Sequence, residues 1–538
     1  MSFVKRHPDL TVSILLLILL ALFAAFFVNF SIPPFEDAAM LMRYADHLAH
    51  GYGIVWNIGA HPVDGATDFL FMVSVAALMK IGVPLARAVR GLGIFSVAAL
   101  VLLVYWVNRK LWKSHIVFAA LSALYLAVGT GLTYVAAYFG TPFFALFAAL
   151  TWALGLLLMQ KENPPLWLSL LFALSGLVMG LIRPEGVILA GLMLVAVIVM
   201  KGWRASARTI SIFVGVFLIL GGAYFIWRWS YFGYPLPNPF YKKGGGALHW
   251  DGLQASFTNV FSLCGLFLLA YLIGFRSSKT TRQTIAFLIP VIGFASAFIL
   301  ISNETNFGGR FQYALLPIVL LSWFPLVRGL DREIGAPSLA GVGLRARGLL
   351  YTGLLLLAVL VLSYSYNQGV SINYSRDGRY DMAQALQPYS SRGYIMATSE
   401  AGLLPLYSQW QAIDTWGLND EWIAHNGGIT ADYLDRYKPE LIIFHAHFSP
   451  LAPPTTPDHY LDPVWFEMTM TLKDYAESHH YILAAVFGVS PYDAHYYYVR
   501  PDFADSQTIV HLISKFSRYA WAADGGVKAV NYASYANP

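Results

Sequence analysis

Charge is scarce in this chain. Asp, Glu, Lys and Arg make up 12% of its 538 residues, about half of the roughly 25% usual in soluble domains. With 57% hydrophobic residues and a mean hydropathy of +0.55, that deficit excludes an ordinary soluble protein and leaves a membrane protein. The formal net charge is only +5. Its basic residues sit largely in short loops, so the charge reads as a topology signal and no nucleic-acid partner is expected. Cysteine is almost missing: Cys264 stands alone in an apolar segment. No intrachain disulfide can form, and any exported part must fold without one. No internal repeat or low-complexity tract stands out either. What the chain does have is aromatic residues, 15 Trp and 32 Tyr among them, which suit anchoring at membrane interfaces.

Lys5, Arg6 and His7 precede an apolar run from Leu10 to Phe30. A signal peptide begins the same way. This run is long enough to span, at roughly 20 residues, and more spans follow, so it reads as an uncleaved first helix. Further apolar stretches of spanning length lie near 88–108, 115–131, 142–160, 165–182, 186–200, 209–229, 256–275, 283–302, 311–328 and 348–366. A shorter one runs from Phe69 to Val83. Counting it as a span would place Arg109, Lys110 and Lys113 outside and invert everything after it. Leaving it out puts nearly every basic cluster on one face, as the positive-inside rule demands. The expectation is therefore about 11 transmembrane helices, a cytoplasmic N-terminus, and 69–83 as a juxtamembrane helix at the outer interface; twelve spans is the alternative. Residues 1–366 then form the membrane module. Residues 367–538 are soluble in composition, and their short apolar runs at Tyr394–Ala397, Glu440–His445, Tyr481–Val489 and Tyr496–Val499 alternate with helical stretches. That pattern predicts a C-terminal α/β domain on the outer, extracytoplasmic side.

Unusual polar groups gather on the predicted outer face. Glu36 and Asp37 follow Pro33–Pro34, which ends the first span. An acid there can be a helix N-cap, because its oxygen satisfies free backbone N–H groups, but two acids side by side exceed what a cap requires. In "IRPEGV" (182–187) Arg183 and Glu185 sit between two spans with almost no loop. They read either as an ion pair closing a tight turn or as a guanidinium offered to a lipid-linked phosphate. "YPLPNPFYKKGGG" (234–246) places Lys242 and Lys243 before three glycines, and "NETNFGGRF" (303–311) adds Arg310. Basic, glycine-rich segments can present ammonium groups and bare N–H donors to an anion; a mobile loop and a snorkelling Arg are the plainer readings. Together these groups suit transfer from a lipid phosphate, with a carboxylate deprotonating an acceptor hydroxyl and cations holding the leaving phosphate.

The same residues resemble a family. Glu36-Asp37-Ala38, Arg43-Tyr44-Ala45, Gly51-Tyr52-Gly53 with Asn57, and Asp64-Gly65 with Thr67 are similar to the first outer loop of GT-C glycosyltransferases, in the branch around the mycobacterial terminal arabinofuranosyltransferase. Arg183-Pro184-Glu185-Gly186, the Leu236–Lys242 segment and "AIDTWGLND" (412–420) look like further motifs of that branch, in the same order. The resemblance implies a GT-C-like membrane fold and a polyprenyl-phosphate sugar donor. It also implies inversion at the anomeric carbon, and an extracytoplasmic acceptor that is a glycan, a lipid or a protein. It makes Asp37 the catalytic base, with Glu36 as its orienting or metal-binding neighbour, the pair holding a divalent cation (Mg, Mn or Ca) where one is used. Arg183, Lys242 and Arg310 become phosphate contacts, and Asn238 and Tyr241 loop contacts to the donor. Arg43, Asp64 and Glu185 complete the substrate-binding candidates. Two positions depart from the branch: Glu36 stands where it usually has Asp, and Gly140 where a Glu is expected.

Asp64, Asp68 and His61 could line the same pocket or be solvated or capping residues. His445 and His447 alternate along a predicted strand and share one face; a third metal ligand is not identifiable, and a structural role is the expectation. Asp414 and Asp420 are expected at turns and the domain interface. The expectation that follows is a glycosyltransferase of a bacterial inner or plasma membrane. A transporter or flippase of a lipid-linked sugar is the alternative. It would need charges near the bilayer midplane and matching halves, and the sequence shows neither. A membrane scaffold would leave the outer-face cluster without a purpose.

Overall fold

The computed structural model describes residues 6–327, apart from 244 and 277, and 376–533, apart from 450–462, 491, 523 and 524. The predicted eleventh span, 348–366, lies outside the described residues.

The first part is helical. Helices α1 (Pro8–Phe27), α2 (Glu36–Ala49), α3 (Phe69–Lys80), α4 (Leu85–Lys110), α5 (Ile116–Ala127) and α6 (Gly131–Ala136) are followed by α7 (Thr141–Gln160), α8 (Leu166–Ile182) and α9 (Gly186–Lys201). Next come α10 (Trp203–Val216), α11 (Gly222–Phe232), α12 (Asn238–Lys242), α13 (Trp250–Gly274), α14 (Ser278–Ala297) and α15 (Leu315–Val327). Each of the ten predicted spans that can be compared contains a helix. Among the described residues, six stretches are long and apolar enough to cross a membrane; one is the run Trp203–Phe232, in which α10 and α11 join through a π-helical turn at Phe217–Gly221. Helix α3 has 12 residues, about 18 Å at 1.5 Å per residue, too short for a hydrocarbon core of about 30 Å. It packs against α2 instead.

The helix ends sort the charges. Asp9, at the start of α1, pairs with Arg109 at the end of α4 (2.6 Å). Lys201, at the end of α9, donates to the Lys161 carbonyl (2.6 Å), and Arg282 donates to the Val199 carbonyl (2.7 Å). Asp37, by contrast, begins α2, and the Arg183 turn begins α9, the end opposite Lys201.

The second part holds a six-stranded mixed sheet in the order β2-β1-β3-β5-β4-β8. Strands β1 (Ile395–Thr398), β2 (Gln411–Asp414) and β3 (Leu441–Ala446) run parallel, whereas β4 (Ile482–Ser490), β5 (Asp493–Val499) and β8 (Val530–Asn531) pair antiparallel. β6 (Ala520–Trp521) and β7 (Val527–Lys528) form a small separate ladder. Helices α16 (Gly378–Leu386), α17 (Leu403–Ser408), α18 (Glu421–His425), α19 (Ala431–Tyr437), α20 (Pro463–Ser478) and α21 (Ser506–Ser514) accompany the strands. All four predicted strands are present, as β1, β3, β4 and β5; β2, β6, β7 and β8 are additional to them.

The two parts meet through buried polar contacts. The Asn57 side chain accepts from the Ala412 N–H and donates to its carbonyl, both at 2.9 Å. It thereby satisfies backbone groups along β2, an edge strand that would otherwise offer them to other chains. Trp56 donates to the same carbonyl (2.9 Å). Gly402 has no room for a side chain, because a Cβ there would run into the backbone carbonyl of Glu36. Helix α17 therefore lies directly on the start of α2.

Candidate active site

A cavity of about 360 Å³ opens where α2, the Arg183 turn and the loops before α12 and α15 converge. Its polar lining comes from Asp37, Thr67, Asp68, Arg183, Glu185, Lys243, Ser302 and Arg310; its apolar wall comes from Leu41, Ile188, Leu236, Phe240, Phe298, Leu300 and Ile301. Asp37 occupies the first turn of α2, which Pro33–Pro34 separates from α1. Its Oδ2 accepts from Arg310 Nη2 at 2.5 Å. Arg310 is 8% exposed and Asp37 24%, so the acid faces the opening while the guanidinium stands behind it. Among the described residues, Arg310 Nε and Nη1 have no acceptor, leaving two buried donors at the cavity wall.

Arg183 ends α8, and its guanidinium is held from two sides. Nη1 donates to Asp68 (2.8 Å) and Nε to Glu185 (2.5 Å). The Phe311 ring lies between the two arginines, 4.9 Å from Arg183 and 5.0 Å from Arg310. Aromatic faces attract guanidinium groups and keep water off them. Burial pushes the Asp68 carboxyl up, and Glu185 adds to the shift against the pull of Arg183. Lys243 donates to Thr305 (3.1 Å), and burial holds its ammonium below the usual lysine range.

Asp37, Arg183, Glu185 and Arg310 are thus the sequence candidates that come together. Six others do not line this cavity. Adjacent positions on a helix point about 100° apart, so Glu36 turns away from Asp37 into the domain contact. There it accepts from the Gly402 N–H (2.5 Å) and the Leu403 N–H (3.2 Å) and lies 3.5 Å from Arg379. Burial pushes the Glu36 carboxyl up to about 8, because Arg379 is shared with Asp377 and Glu400. The expected cation site on the Glu36–Asp37 pair therefore does not fit these residues, since the two carboxylates diverge. Arg43 is buried among carbonyls, donating to Trp56 and Trp410 (both 2.8 Å) and to Pro405. Asp64 forms a bidentate pair with Arg228 (2.6 Å on each arm) and is buried rather than solvated. Asn238 donates to the Gly417 carbonyl (2.7 Å). Tyr241 packs on His425 (4.4 Å between ring centroids), and Lys242 lies over Trp416 (4.1 Å). Five of these six knit the helical part to the sheet domain, and Asp64 ties the first loop to α11.

Lys243 takes the place expected for Lys242. In a run of two lysines at the end of a five-residue helix nothing local distinguishes the one that faces inward. Gly140 also lines the cavity. A Cβ there would meet Phe71 at 2.8 Å and Asp68 Oδ2 at 3.0 Å. The chain therefore carries an acid from the first loop beside the position where the resembled branch has Glu. His61 is exposed, 3.7 Å from Glu421. Asp414 receives the Trp416, Gly417 and Asn419 N–H groups, and Asp420 caps α18, the turn roles expected of them.

Residues 368–506 match a family model described as a domain of unknown function, DUF8728. No curated protein sequence matches the chain. Among solved structures the chain is similar to ArnT from Cupriavidus metallidurans. Bound to undecaprenyl phosphate, that structure gives a TM-score of 0.55 at 13% identity, covering 90% of this chain and 97% of that one. The apo state gives 0.56 at the same identity and coverage. The apo oligosaccharyltransferase of Archaeoglobus fulgidus gives 0.54 at 12% identity, covering 94% of this chain and 76% of that one. At these identities the likeness is one of fold. The chain is a polytopic helical membrane protein of GT-C-like architecture with a C-terminal sheet domain.

Proposed function

We propose that the chain is an inverting, polyprenyl-phosphate-dependent glycosyltransferase. The sugar is a pentofuranose such as arabinose, or another pentose or hexose, and the acceptor is an extracytoplasmic glycan, lipid or protein. The observation that carries this reading is the single cavity in which Asp37 meets Arg310, with Arg183 and Lys243 on the same lining and an apolar wall beside them. A lipid phosphosugar needs that combination: apolar surface for the prenyl chain, cations for the phosphate, and a base within reach of the same cavity. The fold shared with ArnT, solved with undecaprenyl phosphate bound, supports the donor class.

In this mechanism Asp37 takes the proton of the acceptor hydroxyl as its oxygen bonds to the anomeric carbon from the face opposite the phosphate. The carbon–oxygen bond to the phosphate breaks, and its electron pair leaves with the phosphate. Arg310, through its two unused donors, and Lys243 stabilise that charge, while Asp68 and Glu185 fix the Arg183 fork. We place residues 1–366 as the catalytic module and 367–538 as an extracytoplasmic domain that completes it, with the N-terminus cytoplasmic. Sorting of Arg109, Lys161, Lys201 and Arg282 to the helix ends opposite Asp37 supports that orientation. A transporter of the same lipid would use the same phosphate contacts without needing Asp37 as a base. Incubating the purified protein with radiolabelled polyprenyl-phosphate sugars and candidate acceptors separates the two. Label transfer is expected, and flipping in sealed vesicles without transfer would replace the enzyme by the transporter.

A further inference from the structure

The sheet domain holds a second group of polar side chains, apart from the cavity. Strands β3 and β5 pair with His445 opposite His495. Side chains alternate along a strand, so His447 and Asp493 fall on the same face as that pair. Glu400 reaches this face from just beyond the end of β1, at the edge where the sheet changes from parallel to antiparallel. Sites in open sheets gather beyond the carboxyl ends of parallel strands, where the topology switches.

The Asp493 carboxylate only accepts, which puts the His445 proton on Nε2, and the Tyr519 hydroxyl is able to accept from His495 Nδ1 in the same way. His445 Nε2 lies 2.5 Å from Asp493 Oδ1, and His495 Nδ1 lies 2.9 Å from the Tyr519 hydroxyl. With protons on those nitrogens, the free lone pairs are on His445 Nδ1 and His495 Nε2. Both face one oxygen, Glu400 Oε1, at 4.0 and 3.9 Å. That is too far for a hydrogen bond, and three acceptors aimed at one another repel. The other oxygen of Glu400 is taken by Arg379. One ligand atom from each of Glu400, His445 and His495 lies within 4.8 Å of the others. The two separations from Glu400 Oε1 exceed by about half an ångström the ligand separation of about 3.4 Å around tetrahedral zinc. The Trp521 ring covers the two imidazoles, at 4.5 Å from His495 and 5.6 Å from His445.

We infer that Glu400, His445 and His495 bind a zinc-class divalent cation, with Asp493 and Tyr519 holding the two imidazoles in the ligating tautomer. Two nitrogens and one oxygen suit zinc over calcium or magnesium. Partners on the far nitrogens are the outer shell that metal-bound histidines use. Through Arg379 the site connects to Glu36 at the start of α2, so the cation stiffens the strut between the sheet domain and the helix bearing Asp37.

The test uses the full-length protein in detergent, stripped with chelator and titrated with cobalt as a spectroscopic stand-in. One equivalent bound with the intense visible bands of a four-coordinate, nitrogen-ligated site is expected, in the native chain and in Asp37→Asn alike. Melting temperature falls by several degrees on chelation and recovers with zinc. His495→Ala and His445→Ala lose the bands. His447→Ala keeps them, because His447 belongs to the other grouping, with His445 and Asp493. Asp493→Asn weakens cobalt binding about 10- to 100-fold. Should the histidine variants not fold, the native titration decides alone: less than a tenth of an equivalent, or only weak octahedral bands, overturns the site. Bands that survive in a folded His445→Ala, His495→Ala double variant overturn it as well. None of these readouts depends on sugar transfer.

Discussion

Arg310 Nη2 stands 2.5 Å from Asp37 Oδ2, an ion pair between residues 273 positions apart in the chain. The arginine orients the carboxylate from behind and keeps two further donors for an incoming anion. Asp37→Asn keeps the shape of this contact and removes the proposed base, so transfer is expected to fall by about 10² to 10⁴-fold with folding intact. The measurement is label transfer alongside the melting curve, and retained activity would remove Asp37 from the chemistry. Arg310→Lys keeps the charge but loses the fork; donor KM is expected to rise in that variant while the protein still folds.

Asp68 occupies the space beside Gly140 that a side chain would need. Gly140→Ala drives a methyl into Phe71 and is expected to cost about 1–3 kcal/mol, read as a lowered melting temperature. Asp68→Ala frees one arm of Arg183, and its expected effect is on transfer more than on stability. Equal loss of both would make Asp68 merely structural.

The Asp64–Arg228 pair is buried and bidentate, so its role is to hold the loop, not the substrate. Removing one partner leaves a buried charge alone. Asp64→Asn is therefore expected to destabilise by about 3–5 kcal/mol. The surviving folded fraction should keep its donor KM. A raised KM at unchanged stability would return Asp64 to the substrate.

Glu36 supplies a pH dependence. Burial raises its carboxyl from the ordinary 4.5 to about 8, so the folded state holds this proton more tightly than the unfolded chain. The stabilisation is complete below the ordinary value and is lost as pH rises through 8. Melting temperature is expected to fall across that window in the native protein. In Glu36→Gln, which cannot ionise, the decline should be shallower. Parallel curves would exclude Glu36 as its source.

The membrane part was legible because a helix in hydrocarbon must satisfy its own backbone and be written as a long apolar run. Asp37, Arg183, Glu185 and Arg310 were legible for a related reason: each stands at the edge of such a run, where a charge is conspicuous. The direction a side chain faces was not legible. Glu36 looked like a partner of Asp37 because the two are adjacent, yet helical geometry parts them, and its partners lie 366 and 367 residues away. Arg43, Asp64 and Asn238 carry the polarity of substrate contacts, but carbonyls and Arg228 from distant segments absorb it. His445 and His447 were placed on one face by alternation alone. Asp493 and His495 come from β5 and Glu400 from just beyond β1, so strand pairing had to be known before they could be joined.

Helix α17 has no side chain of its own capping its first turn; Glu36 supplies the acceptor from the other end of the chain. During synthesis, the helix that bears Asp37 is made early and waits for hundreds of further residues before the sheet domain rests on its first turn. A nascent chain that stops before residue 403 has every helix up to α15, with Asp37 and Arg310, but not the sheet-domain contact on the start of α2. Assembly of the centre is thereby timed to the arrival of the last third of the polypeptide.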